Sequence, residues 1–217
     1  MTGQPPFPPT AGGLRRFLEP RRPKVVPGEA CEFCAEELHE DHRHVVNLES
    51  RSLACACRGC ALLFEPDGAG RGRYRTVPEG TTREPGFRIP DDLWEELQIP
   101  VGMAFFFVNS SLGRPVAFYP SPAGATESLL PLGSWDRLVA AGRLLDQFAP
   151  DVEALLVRRV AGGFESYRVP IDRCYELVGL IRRTWKGFDG GSEARDAIDG
   201  FFGRLHATSR VVRPTTA

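Results

Sequence analysis

Long apolar runs are missing from this chain. None of its 217 residues falls in a stretch of about 18 apolar positions, the length a membrane-crossing helix needs, so no membrane insertion is expected. The longest apolar run, Val101 to Val108 with Gly102 inside it, has the length of a buried strand. An imbalance of charge is missing too. With 27 basic and 28 acidic side chains the formal charge is −1, which gives no general pull toward nucleic acid or acidic lipid. The opening residues, Met1 to Pro6, hold no apolar core of a secretory leader, so the cytoplasm is the expected compartment. A phosphate-cradling P-loop, a Gly-x-Gly-x-x-Gly turn and a Gly-x-Ser-x-Gly elbow are all lacking. No complete catalytic set emerges, and the reading leans away from an enzyme.

Glycine (23) and proline (19) are plentiful, which favours turns and short elements. The pattern predicts an α+β protein: a small zinc-ribbon-like cysteine module, then an antiparallel or mixed sheet with packed helices. Residues 1–29 read as a flexible tail rich in Pro and Arg, with a short amphipathic piece at Leu14 to Leu18 and a basic run from Arg15 to Lys24. Residues 30–64 are the cysteine module, 65–89 a connector with one short strand at 74–77, 90–208 the α+β domain, and 209–217 a flexible end. Within the domain, Met103–Val108 with Pro115–Tyr119, and Ala154–Val160 with Phe164–Val169, read as two hairpins. A short helix starts at Pro90. Ser134 is expected to cap a helix reaching about Phe148, and Asp172 another. In that second helix Cys174, Leu177, Val178, Ile181 and Trp185 make an apolar stripe at helical spacing. A last helix begins near Ser192.

The strongest chemical signal is a pair of Cys-x-x-Cys-Ala knuckles. Cys31 and Cys34 form one, Cys57 and Cys60 the other, and 22 residues separate them. Each knuckle turns two sulfurs toward one point, and two knuckles supply the four thiolates of a closed tetrahedral site. Five of the six cysteines crowd into thirty residues of a chain with no export signal, which favours metal over disulfides. Zinc is the expected ion; iron or an iron–sulfur cluster is the alternative, because the same thiolates hold both. Cys55 makes five thiols for four places, and either replaces Cys57 or stays outside the site. His39, His42 and His44 lie between the knuckles. His44 is the alternate ligand or supporting group among them, although a polar hairpin carrying idle histidines explains each one singly.

Other candidates are weaker. The segment Tyr119 to Ser128 gathers hydroxyls and Glu127 in a loop that suits a ligand or equally a tight turn. Asp151 and Glu153 read as strand-end charges, Cys174 as a core residue, and His206 as a favourable charge at a helix C-terminus.

The run Cys55 to Phe64, the segment Tyr119 to Ser128, and Pro170 to Gly179 followed by Trp185 to Gly187 resemble the signature of DUF5947, a bacterial family. The resemblance spans roughly residues 30–205. It implies an association with genes for nickel–iron hydrogenase subunits and maturation factors, chiefly in actinobacteria, and therefore a hydrogenase subunit or maturation factor as partner. It carries no reaction and no catalytic residues. Three functions follow. The first is a non-enzymatic accessory protein for hydrogenase assembly or maturation. The second is an iron–thiolate electron-transfer protein for the same enzyme. The third is a nucleic-acid-binding zinc ribbon using Arg51, Arg58, Arg71, Arg73, Arg75 and Tyr74, which the balanced charge disfavours.

Overall fold

A computed structural model describes residues 29–128, 133–187 and 190–212. The amphipathic piece at 14–18 and the basic run at 15–24 lie outside the described residues. The architecture is α+β, with two sheets, five α-helices and one short 3-10 turn among the described residues.

The smaller sheet has the order β2-β1-β3, from β1 (Arg43–Asn47), β2 (Ser52–Ala56) and β3 (Tyr74–Thr76), all antiparallel. The β1–β2 turn is set by Asn47, whose Oδ1 accepts from the backbone N–H groups of Glu49 (3.0 Å) and Ser50 (3.1 Å). After β2 comes helix α1 (Arg58–Leu62).

The larger sheet contains β4 (Thr82–Arg83), β5 (Met103–Asn109), β6 (Arg114–Ser121), β7 (Gly124–Ser128), β8 (Glu153–Val160), β9 (Gly163–Pro170) and β10 (Arg210–Val211). Its order is β10-β4-β9-β8-β5-β6-β7, antiparallel except for the β10–β4 pair, so it is mixed. Both expected hairpins are present, as β5–β6 and β8–β9. The central strands are buried on both faces, which is why β5 and β8 read as nearly continuous apolar runs rather than alternating ones. Phe105 and Phe107 face α4 (Ile171–Thr184) and α5 (Gly191–Thr208). Ala104 and Phe106 face α2 (Asp91–Glu96), α3 (Ser134–Ala140) and Leu144. The sheet is thus the middle of three layers.

Three local expectations need correction. α3 stops at Ala140 instead of reaching Phe148. Glu84 captures the Arg143 backbone N–H (2.8 Å), and Gly142 sits so close that a Cβ there would lie 2.9 Å from the Phe87 ring; a continuing helix has no room. Ser134 is not the cap of α3: Gly133 holds that place at φ 85°, and the Ser134 hydroxyl donates to Glu96 (2.9 Å). Asp172 is not the cap of α4 either. Pro170 precedes the helix, and Asp172 sits in its first turn with its carboxylate turned to His44. The apolar stripe of α4 is as expected from Cys174 to Ile181, but the helix ends at Thr184 and Trp185 is extended.

The two sheets share a wall. Side chains alternate along a strand, so Val45 of β1 enters a small core with Cys31, Ala56, Cys57 and Ala61, whereas Val46 enters the large core with Phe107, Ile171 and Val178.

Candidate metal centre

The first knuckle is a tight hairpin. An Ala30–Glu37 bridge closes it, and the Cys31 N–H donates to the Glu36 carbonyl at 2.7 Å. The turn needs one left-handed residue, and Ala35 takes that conformation at φ 65° while its N–H returns to the Cys31 carbonyl (2.8 Å). The second knuckle is built differently. Cys57, just after β2, is still extended and caps α1: its sulfur accepts from the Cys60 N–H at 3.4 Å. The helical turn then carries Cys60 back beside Cys57.

These two constructions converge. The Sγ atoms of Cys31, Cys34, Cys57 and Cys60 all lie within 4.8 Å of one another. The Cys34 and Cys57 sulfurs are 3.7 Å apart. A regular tetrahedron with metal–sulfur bonds of about 2.3 Å has edges of about 3.8 Å, so this pair is already at bonding geometry for one ion. The four-cysteine cluster can hold a metal ion. Each of the four residues named from the knuckle spacing is in the cluster.

The electrostatics of the thiols point the same way. Burial opposes ionisation of Cys31, but the backbone of Cys57, Cys34 and Phe33 outweighs it, and its pKa falls to about 7. Cys60 is pushed far upward, first by burial and then by the sulfurs of Cys34, Cys57 and Cys31. Cys57 gains from the Cys60 backbone N–H, yet Glu36, burial and Cys34 raise it overall. Four clustered sulfurs cannot all become anions unless a cation sits among them.

Beside the sulfurs, of which that of Cys34 belongs to an exposed residue, lies a cluster of three half-buried rings. Phe33, Phe64 and Tyr74 pack mutually, with ring centroids 4.8 to 5.5 Å apart, against the small core. Tyr74 is therefore a packing residue rather than the open stacking ring a nucleic-acid surface would use. Two of the arginines around it are paired, Arg73 with Glu49 (3.0 Å) and Arg75 with the Pro150 carbonyl (3.1 Å). Sequence reading missed Glu32. Its N–H donates to the Cys55 carbonyl (2.9 Å) and its carboxylate accepts from the Cys55 N–H (2.7 Å), tying the first knuckle to β2 at two points. Only the x position of the motif hinted at this role.

Cys55 and His44 are elsewhere. They face each other across β1 and β2 in register, on the side opposite Ala56 and Val45. There they meet His42, and the three donor atoms lie within 4.8 Å of one another as a second group. Asp172 Oδ2 accepts from His44 Nδ1 at 2.9 Å. His39 contributes only its carbonyl, to His42 (2.9 Å).

The remaining candidates have structural work. Residues 119–128 form the β6–β7 hairpin, with the Ser121 hydroxyl donating to the Gly124 carbonyl (2.9 Å). Asp151 holds the Ser110 N–H (2.9 Å) and Glu153 the Ala149 N–H (2.8 Å). Cys174 is fully buried in the large core. His206 lies in the last turn of α5, 3.3 Å from the Tyr167 hydroxyl.

Fold and site together define an α+β protein with a metal-competent four-cysteine cluster on a small appended sheet. A family model matches residues 30–209, and the chain belongs to DUF5947, a family of unknown function. Neither a curated protein nor a solved structure matches it. Among the described residues no helix is long and apolar enough to cross a membrane.

Proposed function

We propose that the protein is a zinc-stabilised, non-enzymatic accessory factor that acts by protein contact. Its partner is a subunit or maturation factor of a nickel–iron hydrogenase. The observation that carries the reading is the convergence of four thiols from two knuckles into one closed set. A closed set of four protein thiolates leaves no position for a substrate, which suits a structural ion. It also favours a single ion over an iron–sulfur cluster. A cluster places thiolates on different irons and needs a wider cage than sulfurs within 4.8 Å of one another.

The thiolates support α1, which turns Leu62 and Leu63 outward at 49% and 69% exposure. Two large apolar side chains on a metal-pinned helix make a rigid contact point for another protein. The choice of partner rests on the resemblance to proteins encoded beside hydrogenase genes.

The test is purification without oxygen, metal analysis and an absorption spectrum, followed by co-purification with hydrogenase subunits and maturation factors. The expected result is colourless protein with zinc, and a complex that Leu62→Asp with Leu63→Asp abolishes. A brown, reducible protein would replace this reading with electron transfer at an iron–thiolate centre. Co-purification unaffected by those substitutions would overturn the contact surface.

A further inference from the structure

We propose that His42, His44 and Cys55 form a second metal site, an open one for a late first-row divalent ion, separate from the four-thiolate set. The strand geometry creates it. His44 is the second residue of β1 and Cys55 its cross-strand partner, so these two share one face, and His42, just before the strand, lies beside them. One nitrogen from each ring and the Cys55 sulfur lie within 4.8 Å of one another, and the ring centroids are 4.8 Å apart.

Hydrogen bonding sets both histidines in the tautomer a metal needs. His42 Nδ1 contacts the His39 carbonyl, which can only accept, so Nδ1 carries the proton and Nε2 the lone pair. His44 Nδ1 contacts the Asp172 carboxylate, with the same consequence. The Asp172–His44 pair is the carboxylate–imidazole arrangement that fixes the orientation of a ligating histidine. Two atoms here are shielded from solvent with no hydrogen-bond partner: His42 Nε2 and Asp172 Oδ1. A buried lone pair without a donor costs free energy, and a cation would satisfy it.

The ligand set decides the ion class. Two imidazoles and one thiolate favour zinc, cobalt, nickel or copper over magnesium and calcium. Three protein ligands leave the fourth position for water or an incoming ligand. His42, His44 and Asp172 also line a cavity of about 520 Å³ between the small sheet, α4 and α5. The thiolate set is closed and structural; this one is exchangeable.

The test uses the full chain, stripped and kept reduced, then loaded with cobalt(II) and separately with zinc. Metal content is measured before and after a mild chelator. The expected wild-type value is about two ions per chain, of which the chelator removes about one. His42→Ala with Cys55→Ser is expected to bind only the chelator-resistant ion, with unchanged circular dichroism. The cobalt difference spectrum between wild type and variant should carry the charge-transfer intensity of a single thiolate. His44→Gln alone should weaken the labile ion in the same way. Wild-type protein that binds only the resistant ion, or a double variant that keeps both, overturns the second site. A labile ion without a resistant one, if abolished by the double variant, supports this site and instead sinks the four-thiolate reading.

Discussion

If the four cysteines hold a structural ion as proposed, stripping it should unfold the small sheet while the large one stays folded. The small core consists of Cys31, Val45, Ala56, Cys57 and Ala61, so two of its five buried members belong to the four-cysteine cluster and two others are alanines. Such a core buries little apolar area, and modules of this size seldom fold on apolar burial alone. Structural zinc contributes an apparent binding free energy of about 10–16 kcal/mol in comparable small motifs. That equals or exceeds the whole stability of a typical domain, about 5–15 kcal/mol. The large cores on both faces of β5 and β8 contain no ligand of this set. Hydrogen exchange read by mass spectrometry, with and without chelator, checks this. Peptides within residues 29–77 should lose protection, those of β8, β9 and α4 should keep it, and Cys31→Ser should reproduce the pattern without chelator. Unchanged protection of the Val45 and Ala56 amides in metal-free protein would refute the reasoning.

Loading the stripped chain at pH 7 should release more than one proton per ion. Cys31, with a pKa of about 7, is half protonated there, Cys60 is fully protonated, and both must become thiolates. Calorimetric titration in buffers of different ionisation heat measures this, and enthalpies independent of buffer would contradict it. Gly70→Ala should destabilise the metal-bound protein by about 1–3 kcal/mol. Gly70 has φ 58°, and a Cβ would lie 2.8 Å from the Tyr74 ring and 3.2 Å from Phe64. For a chain of this size that means a melting temperature lower by roughly 2–4 °C per kcal/mol, read by thermal denaturation. Glu32→Ala should cost about 1 kcal/mol by removing the exposed acceptor of the Cys55 N–H. It should also hasten chelator-driven release from an intact thiolate set; an unchanged release rate would show that the knuckle does not depend on that tie.

The clustering of Cys31, Cys34, Cys57 and Cys60 was legible because knuckle spacing is a local code: two thiols three residues apart turn toward a common point whatever surrounds them. The two hairpins and the α4 stripe were legible for a similar reason, since periodicity reports directly which faces are buried. What stayed hidden depends on partners distant in sequence. Asp172 looked like a cap because caps are local and frequent, whereas its actual partner, His44, is 128 residues away. α3 looked longer because nothing near Gly142 announces Glu84 as a competitor for the Arg143 N–H. Tyr74 among arginines suggested a stacking surface because its burial by Phe33 and Phe64 requires the small sheet to be assembled first.

The placement of Cys55 follows from strand alternation and from where β2 ends, and the same alternation links the four-cysteine cluster and the proposed second site to the rest of the molecule. Along β1, Val45 points to the thiolate core and Val46 to the large core. His44 and Val46 share a face, and so does Cys55, the strand partner of His44. The pleat turns a fifth thiol at this position away from Val45 and Ala56, and Cys57, which strict alternation would put on the face of Cys55, reaches the four-sulfur set because β2 ends at Ala56 and the chain turns there into α1. The same face meets α4 through the His44–Asp172 bond. An ion at His42, His44 and Cys55 would bridge the strands of the small sheet and, through Asp172, fix them to the first turn of α4. The small sheet then stands rigidly on the large domain by two independent means, apolar contact at Val46 and Val77 and the histidine–carboxylate pair. Removing the labile ion should loosen that second attachment and leave the four-thiolate fold intact, so the Asp172 side of the joint responds to metal and the Val46 side does not.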